Sequence, residues 1–165
     1  MEIILEKGKV TFKEAIRDFW KGYFDFRGRS KRSGYWWAVL FTGIVYIILR
    51  SIGIIGIMST SNTAQGIGII SIFALMIFIL ITILPNLMLS LRRWRDVGLS
   101  NKGITIYFVL MTGVNIMSHF YTQLGKILSN LFSIISIILY LLPSDQLTII
   151  SNNVVLKFLF RQRKN

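Results

Sequence analysis

From Ser51 to Leu91 the chain carries no Asp, Glu, Lys or Arg, and Gly34 to Leu49 is equally free of them, with Arg50 the only interruption. A membrane-crossing helix needs roughly 20 apolar residues, within a range of about 17–25. This stretch therefore holds two such helices, at about Tyr35–Met58 and about Gly68–Leu89. The polar run Ser59–Gly66 forms the turn between them. Gly103 to Gly125 is a third uncharged run, and Ile127 to Pro143 a fourth, shorter one. The fold class expected is all-α, a polytopic membrane protein with four transmembrane helices preceded by an amphipathic cytoplasmic helix. Residues 1–33 form a basic N-terminal segment, 34–143 the four-span domain with a cytoplasmic loop at 92–102, and 144–165 a basic cytoplasmic tail.

Composition agrees. Hydrophobic residues make up 53% of the 165 and charged ones 16%, with a mean hydropathy of +0.61. A soluble core of this size does not hide so much apolar chain, and a disordered chain lacks it. The net charge of +12 would suggest nucleic acid in a soluble protein. Here the cations flank apolar runs, so anionic membrane lipids are the expected partner and nucleic acid is not. With no cysteine and a single histidine, His119, neither thiolate chemistry nor a Cys/His metal site can be built, and no cofactor or metal is expected. The first apolar run begins only at Gly34, exceeds signal-peptide length and shows no small-x-small cleavage site, so it reads as an uncleaved membrane helix.

Charge also orients the spans. Nine Lys and Arg lie in residues 1–33 and four in Arg92–Lys102, and Lys157, Arg161, Arg163 and Lys164 close the tail. The Ser59–Gly66 turn has none, and the third-to-fourth connection has only Lys126. The positive-inside rule then places both termini and the middle loop in the cytoplasm. A fifth span through Leu147–Phe160 would be too short and would export the basic tail.

Thr11 and Glu14 have capping-box spacing. Behind them Phe12, Ala15, Ile16, Phe19, Trp20, Tyr23 and Phe24 recur at helical intervals opposite a charged face. Such a helix lies in the membrane interface, packs on the ends of the spans, or does both. Next, Arg27, Arg29, Lys31 and Arg32 precede Tyr35, Trp36 and Trp37, the arrangement of a cationic collar above headgroup-level aromatics. Ser33 is the expected N-cap of the first span. Farther along, Pro85 lies inside the second span and is expected to kink it, freeing a carbonyl for Asn86 or Ser90 to help satisfy. Arg92, Arg93 and Arg95 follow. On a continued helix Asp96 pairs with Arg92 or Arg93 and Gly98 ends the helix. This second cluster reads either as a guanidinium site for phosphate or carboxylate or as an ion-paired cap on the span.

Arg50, about 24 Å along the first span, is expected to snorkel to the outer headgroups. Asn115, Ser118 and His119 are expected to hydrogen-bond between helices. The tail beyond Pro143 reads as a surface segment, helix or strand.

Phe24-x-Phe-x-Gly-Arg-Ser-x-Arg-Ser-x-Tyr-Trp-Trp37, followed by Pro85 and Arg92-Arg93-x-x-Asp96-x-Gly98-x-Ser100, resembles the domain of unknown function 805 family, small bacterial inner-membrane proteins with about four spans. The resemblance covers about residues 12–103, and the tail after Ser151 departs from the family's usual ending. It implies that Gly28, Arg29, Arg32, Trp36, Arg92, Arg93 and Asp96 act together. Convergence of the two clusters would let Asp96 pair across to Arg29 or Arg32.

The candidate lipid- or partner-binding residues are thus Arg27, Arg29, Lys31, Arg32, Trp36, Trp37, Arg92, Arg93, Arg95 and Asp96, with no catalytic residue. The expected role is a non-enzymatic membrane protein whose basic face engages anionic lipid, a membrane protein partner or a second copy. The alternatives are a small oligomeric transporter or channel and, third, an enzyme acting on lipid phosphate with Asp96 as base or nucleophile.

Overall fold

The computed structural model describes residues 3–120, 123–151 and 153–163. They form α1 (Phe12–Lys21), α2 (Arg32–Ile57), α3 (Asn62–Val97), α4 (Asn101–Phe120), α5 (Gln123–Leu141) and the short α6 (Val154–Leu159). Pairing among the described residues is limited to isolated bridges at Leu5–Arg29, Leu99–Phe160 and Ile149–Gln162. Among the same residues α2, α3 and α5 are long and apolar enough to cross a membrane. The run expected as the third span forms α4, a helix of 20 residues that stands outside that set. The 36 residues of α3 extend for about 54 Å at 1.5 Å each, against a hydrocarbon core of roughly 30 Å. The helix therefore continues well beyond any single span. Most of the expected 92–102 loop is its last turns, and the helix ends at Gly98 with φ of 126°, as the motif predicts.

α2 and α3 run antiparallel and touch where side chains are smallest. A Cβ on Gly56 would lie 2.6 Å from the Gly68 Cα, and one on Gly68 only 2.7 Å from the Ile57 nitrogen. Ser71 donates to the Leu49 carbonyl at 2.7 Å. Small residues and hydroxyls are the usual helix contacts where apolar burial gives no preference over lipid. A second antiparallel pair joins α4 to α5 through the Tyr107 hydroxyl on the Phe132 carbonyl at 3.0 Å, and through Ser129 donating to Asn115 at 3.0 Å. Asn115 thus bonds between helices as expected. Ser118 instead turns back to the Asn115 carbonyl, and His119 is exposed.

The packed core sits at one end of this assembly. Trp94, Val97, Leu99, Ile104 and Leu139 form one buried cluster, and Phe19, Tyr35, Ala38 and Leu89 another. Tyr140 joins the two, its ring stacked 4.5 Å from Tyr35 and parallel to Trp94 at 6.3 Å. Elsewhere the apolar side chains face outward: Ile55 is 70% exposed and Ile70 69%. Both terminal segments pack at this same end. Thr11 and Glu14 form the capping box, and α1 buries Ala15 and Phe19 while Phe12 and Trp20 stay exposed. Half of the aromatic face therefore docks. The tail is a helix bounded by extended residues: Gly103 leaves room for the Leu159 carbonyl, and the Arg161 amide donates to the Gly98 carbonyl at 2.8 Å.

α3 runs unbroken through Pro85, whose missing N–H leaves the Ile81 carbonyl without its helical donor. Neither Asn86 nor Ser90 supplies one, because Asn86 bonds its own preceding turn at the Thr82 carbonyl. The Tyr23 hydroxyl, 58 residues away in sequence, donates to Ile81 at 2.9 Å. Tyr23→Phe is expected to cost about 1 kcal/mol of stability, the usual worth of such a bond. In a Pro85→Ala background, where residue 85 regains its N–H, thermal unfolding in detergent should register little loss. Equal losses in the two backgrounds would sink this pairing.

Candidate functional site

The last two turns of α3 carry three arginines whose side chains leave the helix in different directions, since successive residues are offset by about 100°. Arg93 is wholly buried and points at the end of α5. Its Nη1 donates to the Asp96 carboxylate at 2.6 Å, its Nε to the Tyr140 carbonyl at 3.3 Å, and its Nη2 to the Tyr140 and Leu142 carbonyls. The final carbonyls of a helix have no partner within it and carry its negative end. Arg93 thus caps α5 from outside, and Arg32 adds a bond to the Leu141 carbonyl at 3.4 Å.

Asp96 is 2% exposed. Beyond Arg93 it accepts from the Ser144 hydroxyl at 2.6 Å and faces the Lys31 ammonium at 3.7 Å. Of its two expected partners on α3 it therefore takes Arg93, three residues back. The expected bridge to Arg29 or Arg32 is corrected to Lys31, which holds the N-cap position of α2 and faces α3. Arg29 lies instead 4.0 Å from Asp145, which also binds Arg161. Both oxygens of Asp96 are thus engaged, where α3, the start of α2 and the turn after α5 meet.

Arg92 points the other way, beneath α1. Fully buried, it donates from Nη1 to the Asp18 carbonyl at 3.2 Å. A Cβ on Gly22 would fall 2.1 Å from that nitrogen, so glycine is what admits the guanidinium there. Glu6, Asp18 and Asp25 supply the negative charge around it. Arg95 reaches the Gly28 carbonyl at 3.2 Å and Asn101 at 3.0 Å.

The basic loop before α2 is held by acids. Asp25, 3% exposed, accepts from the amides of Gly28 at 2.8 Å, Arg27 at 3.0 Å and Ile4 at 2.8 Å. A side chain at Gly28 would strike this carboxylate at 2.1 Å. Glu6 accepts from the Lys31 amide at 2.6 Å and occupies the space a Cβ on Gly34 would need. Ser33 does not cap α2; its hydroxyl accepts from the Val10 amide at 3.0 Å. Each of these orders the N-terminal strand-like segment against the loop.

The ten expected residues therefore separate. Lys31, Arg92, Arg93, Arg95 and Asp96 are drawn into the interior network. Arg27, Arg32, Trp36 and Trp37 remain exposed and Arg29 half-exposed, with Trp37 edge-on to Phe12 at 5.6 Å. Glu6, Tyr23, Asp25, Tyr140, Asp145 and Arg161 were not among them. Asp25 and Glu6 were visible as rare acids beside a basic run, whereas Tyr23 and Tyr140 carry no local signal.

Burial pushes the Glu6 carboxyl up to about 7, against the pull of the Lys31 amide and the Arg92 charge. Between its ordinary value near 4.5 and 7, the folded chain holds a proton that the unfolded chain has released. Stability from this group is complete below the lower value and is lost as pH rises through the upper one. The Tm of the wild type should therefore fall between pH 4.5 and 7 and then level, and Glu6→Gln should flatten that slope. For Asp96→Asn, which strands buried Arg93 without its counter-charge, a loss of about 3–5 kcal/mol is expected in detergent unfolding. Exposed Asp145→Asn should lose under about 1 kcal/mol; similar losses for the two would contradict this division.

Residues 23–149 match the family described as "Protein of unknown function (DUF805)", a match that begins later and runs farther than the expected 12–103. The "Inner membrane protein YhaI" of Escherichia coli strain K12 is 30% identical over 110 residues, 67% of this chain and 84% of that protein. The protein of the same name from Escherichia coli O157:H7 aligns to the same extent. No solved structure matches.

Proposed function

The chain belongs to the DUF805 family, and from that premise we propose that it is a non-enzymatic integral protein of a bacterial inner membrane whose basic end engages anionic lipid of the cytoplasmic leaflet. In this reading α2, α3, α4 and α5 all cross the bilayer, and both termini are cytoplasmic. The observation that carries it is the sorting of charge. Of 19 Lys and Arg, all but Arg50 and Lys126 belong to residues 1–33, 92–102 and 144–165, segments whose described residues gather around the core at one end. Basic residues beside membrane helices mark the cytoplasmic side and are drawn to anionic lipid. A relative named as an inner membrane protein agrees with the location.

Two further observations favour lipid engagement over catalysis or transport. The acids that would serve chemistry at the basic end, Asp25 and Asp96, are buried in hydrogen bonds. All seven Asp and Glu lie outside the uncharged runs, so the spans offer no acid to a moving cation or proton. What the surface presents is Arg27, Arg29 and Arg32 beside Trp36 and Trp37, a cationic and aromatic rim at headgroup level. Lys31, Arg92, Arg93, Arg95 and Asp96 serve it by fixing the elements that carry it.

With no native cysteine, single replacements at Lys9, Ser61 and Gln123 read the topology directly in intact cells. A membrane-impermeant thiol reagent should label Ser61→Cys and Gln123→Cys and spare Lys9→Cys. Protection at residue 123 would mean that α4 does not cross, and labelling at residue 9 would put the basic end outside.

A further inference from the structure

At the basic end, α2 and the last turn of α5 meet through the Tyr35–Tyr140 stack and the Arg32 bond to Leu141. Beside that contact lies a crevice of about 520 Å³, lined by Arg32, Ser33, Trp36, Trp37, Leu40 and Leu141. Arg32, Trp36 and Leu40 follow at four-residue intervals, so they form one stripe along α2 about 12 Å long. Along it the chemistry passes from a guanidinium to an indole to an aliphatic side chain. Leu40 and Leu141 are 48% and 53% exposed, so the apolar part of the crevice opens sideways.

Charge sets Arg32 apart from its neighbours Arg29 and Lys31. Arg93 and Lys31 share Asp96, and Arg29 and Arg161 share Asp145. Among the described residues no carboxylate pairs with Arg32, whose hydrogen bond is a long one to a backbone carbonyl. Its guanidinium retains donors in the forked arrangement that suits a phosphate.

From this juxtaposition we infer that the crevice holds one molecule of an anionic glycerophospholipid, its phosphate on Arg32 and an acyl chain against Trp36, Leu40 and Leu141. Basic pockets between membrane helices recognise anionic headgroups in this way. The inference rests on the reading that the basic end lies at headgroup level, and deepens it from a surface attraction to a single built site.

Native mass spectrometry of the full chain in mild detergent, with phosphatidylglycerol or phosphatidylcholine added, tests it. The wild type should retain one phosphatidylglycerol per chain and bind phosphatidylcholine about tenfold more weakly, because the choline ammonium cancels the charge of its phosphate and is repelled by Arg32. Arg32→Gln should lower phosphatidylglycerol affinity about tenfold, the worth of one charge-assisted contact. Leu40→Trp, which fills the open crevice without entering the core, should exclude the lipid. Arg50→Gln, the same change at the far end of α2, should leave retention as it was. Absence of a saturable first lipid, wild-type retention by both crevice variants, or a dimer that Leu40→Trp dissociates would each overturn the proposal. Measured in bilayers, a wild type that still gathers phosphatidylglycerol around it while keeping none in detergent would refute the crevice and leave the surface reading standing. Loss of both preferences would remove the two together.

Discussion

Everything at the basic end depends on one buried guanidinium. Arg93 joins the end of α3 to the end of α5 by donating to Tyr140 and Leu142 while its charge is met by Asp96. A charge out of water is costly unless both its counter-charge and its donors are answered. Arg93 satisfies the second condition with carbonyls that α5 would otherwise leave open. Asp96 in turn holds Lys31 and Ser144, which brings the start of α2 and the turn after α5 to the same point. A lysine at position 93 would bring the charge but not the planar fork that serves three acceptors at once.

Around this bond other polar groups act as mutual caps. Arg92 closes α1 at Asp18, Glu6 meets the first amide before α2, and Tyr23 supplies the donor that Pro85 withdraws. In each case a helix end or break exposes a backbone group, and a side chain distant in sequence answers it. That is the accounting a buried backbone requires. Arg92 is the exception among the described residues: its Nε and Nη2 are buried without a hydrogen-bond partner, and its charge is met by the carboxylates around it.

The legible parts of the sequence were those governed by local rules. Uncharged runs located α2, α3 and α5, the Thr11–Glu14 spacing announced α1, and Gly98 marked the end of α3. Asp96 and Arg93 were readable because three residues on a helix suffice to pair them. The uncharged run from Gly103 placed α4 as a helix too, but apolar length understated α3, because cationic turns continue a helix as readily as they end a span. Partners across the fold were hidden for a different reason. Lys31 and Arg32 are neighbours in the chain, yet one faces Asp96 and the other Leu141. That choice is made by where α2 begins, which expected capping by Ser33 misplaced. Tyr23 is an aromatic among aromatics until Pro85 is seen beside it.

The placement of the core has a consequence for how such a chain tolerates change. Where packing is dense, around Trp94, Tyr140 and Arg93, each side chain has a shape its neighbours require. Along the outward faces of α2, α3 and α5 beyond the Arg32 crevice only apolarity is asked of a residue, because lipid fits itself to any aliphatic outline. Isoleucine, leucine, valine and methionine are there nearly interchangeable. Substitution within that alphabet can run on with little penalty, and the heavy use of isoleucine in these helices is the mark of a surface whose exact outline nothing reads.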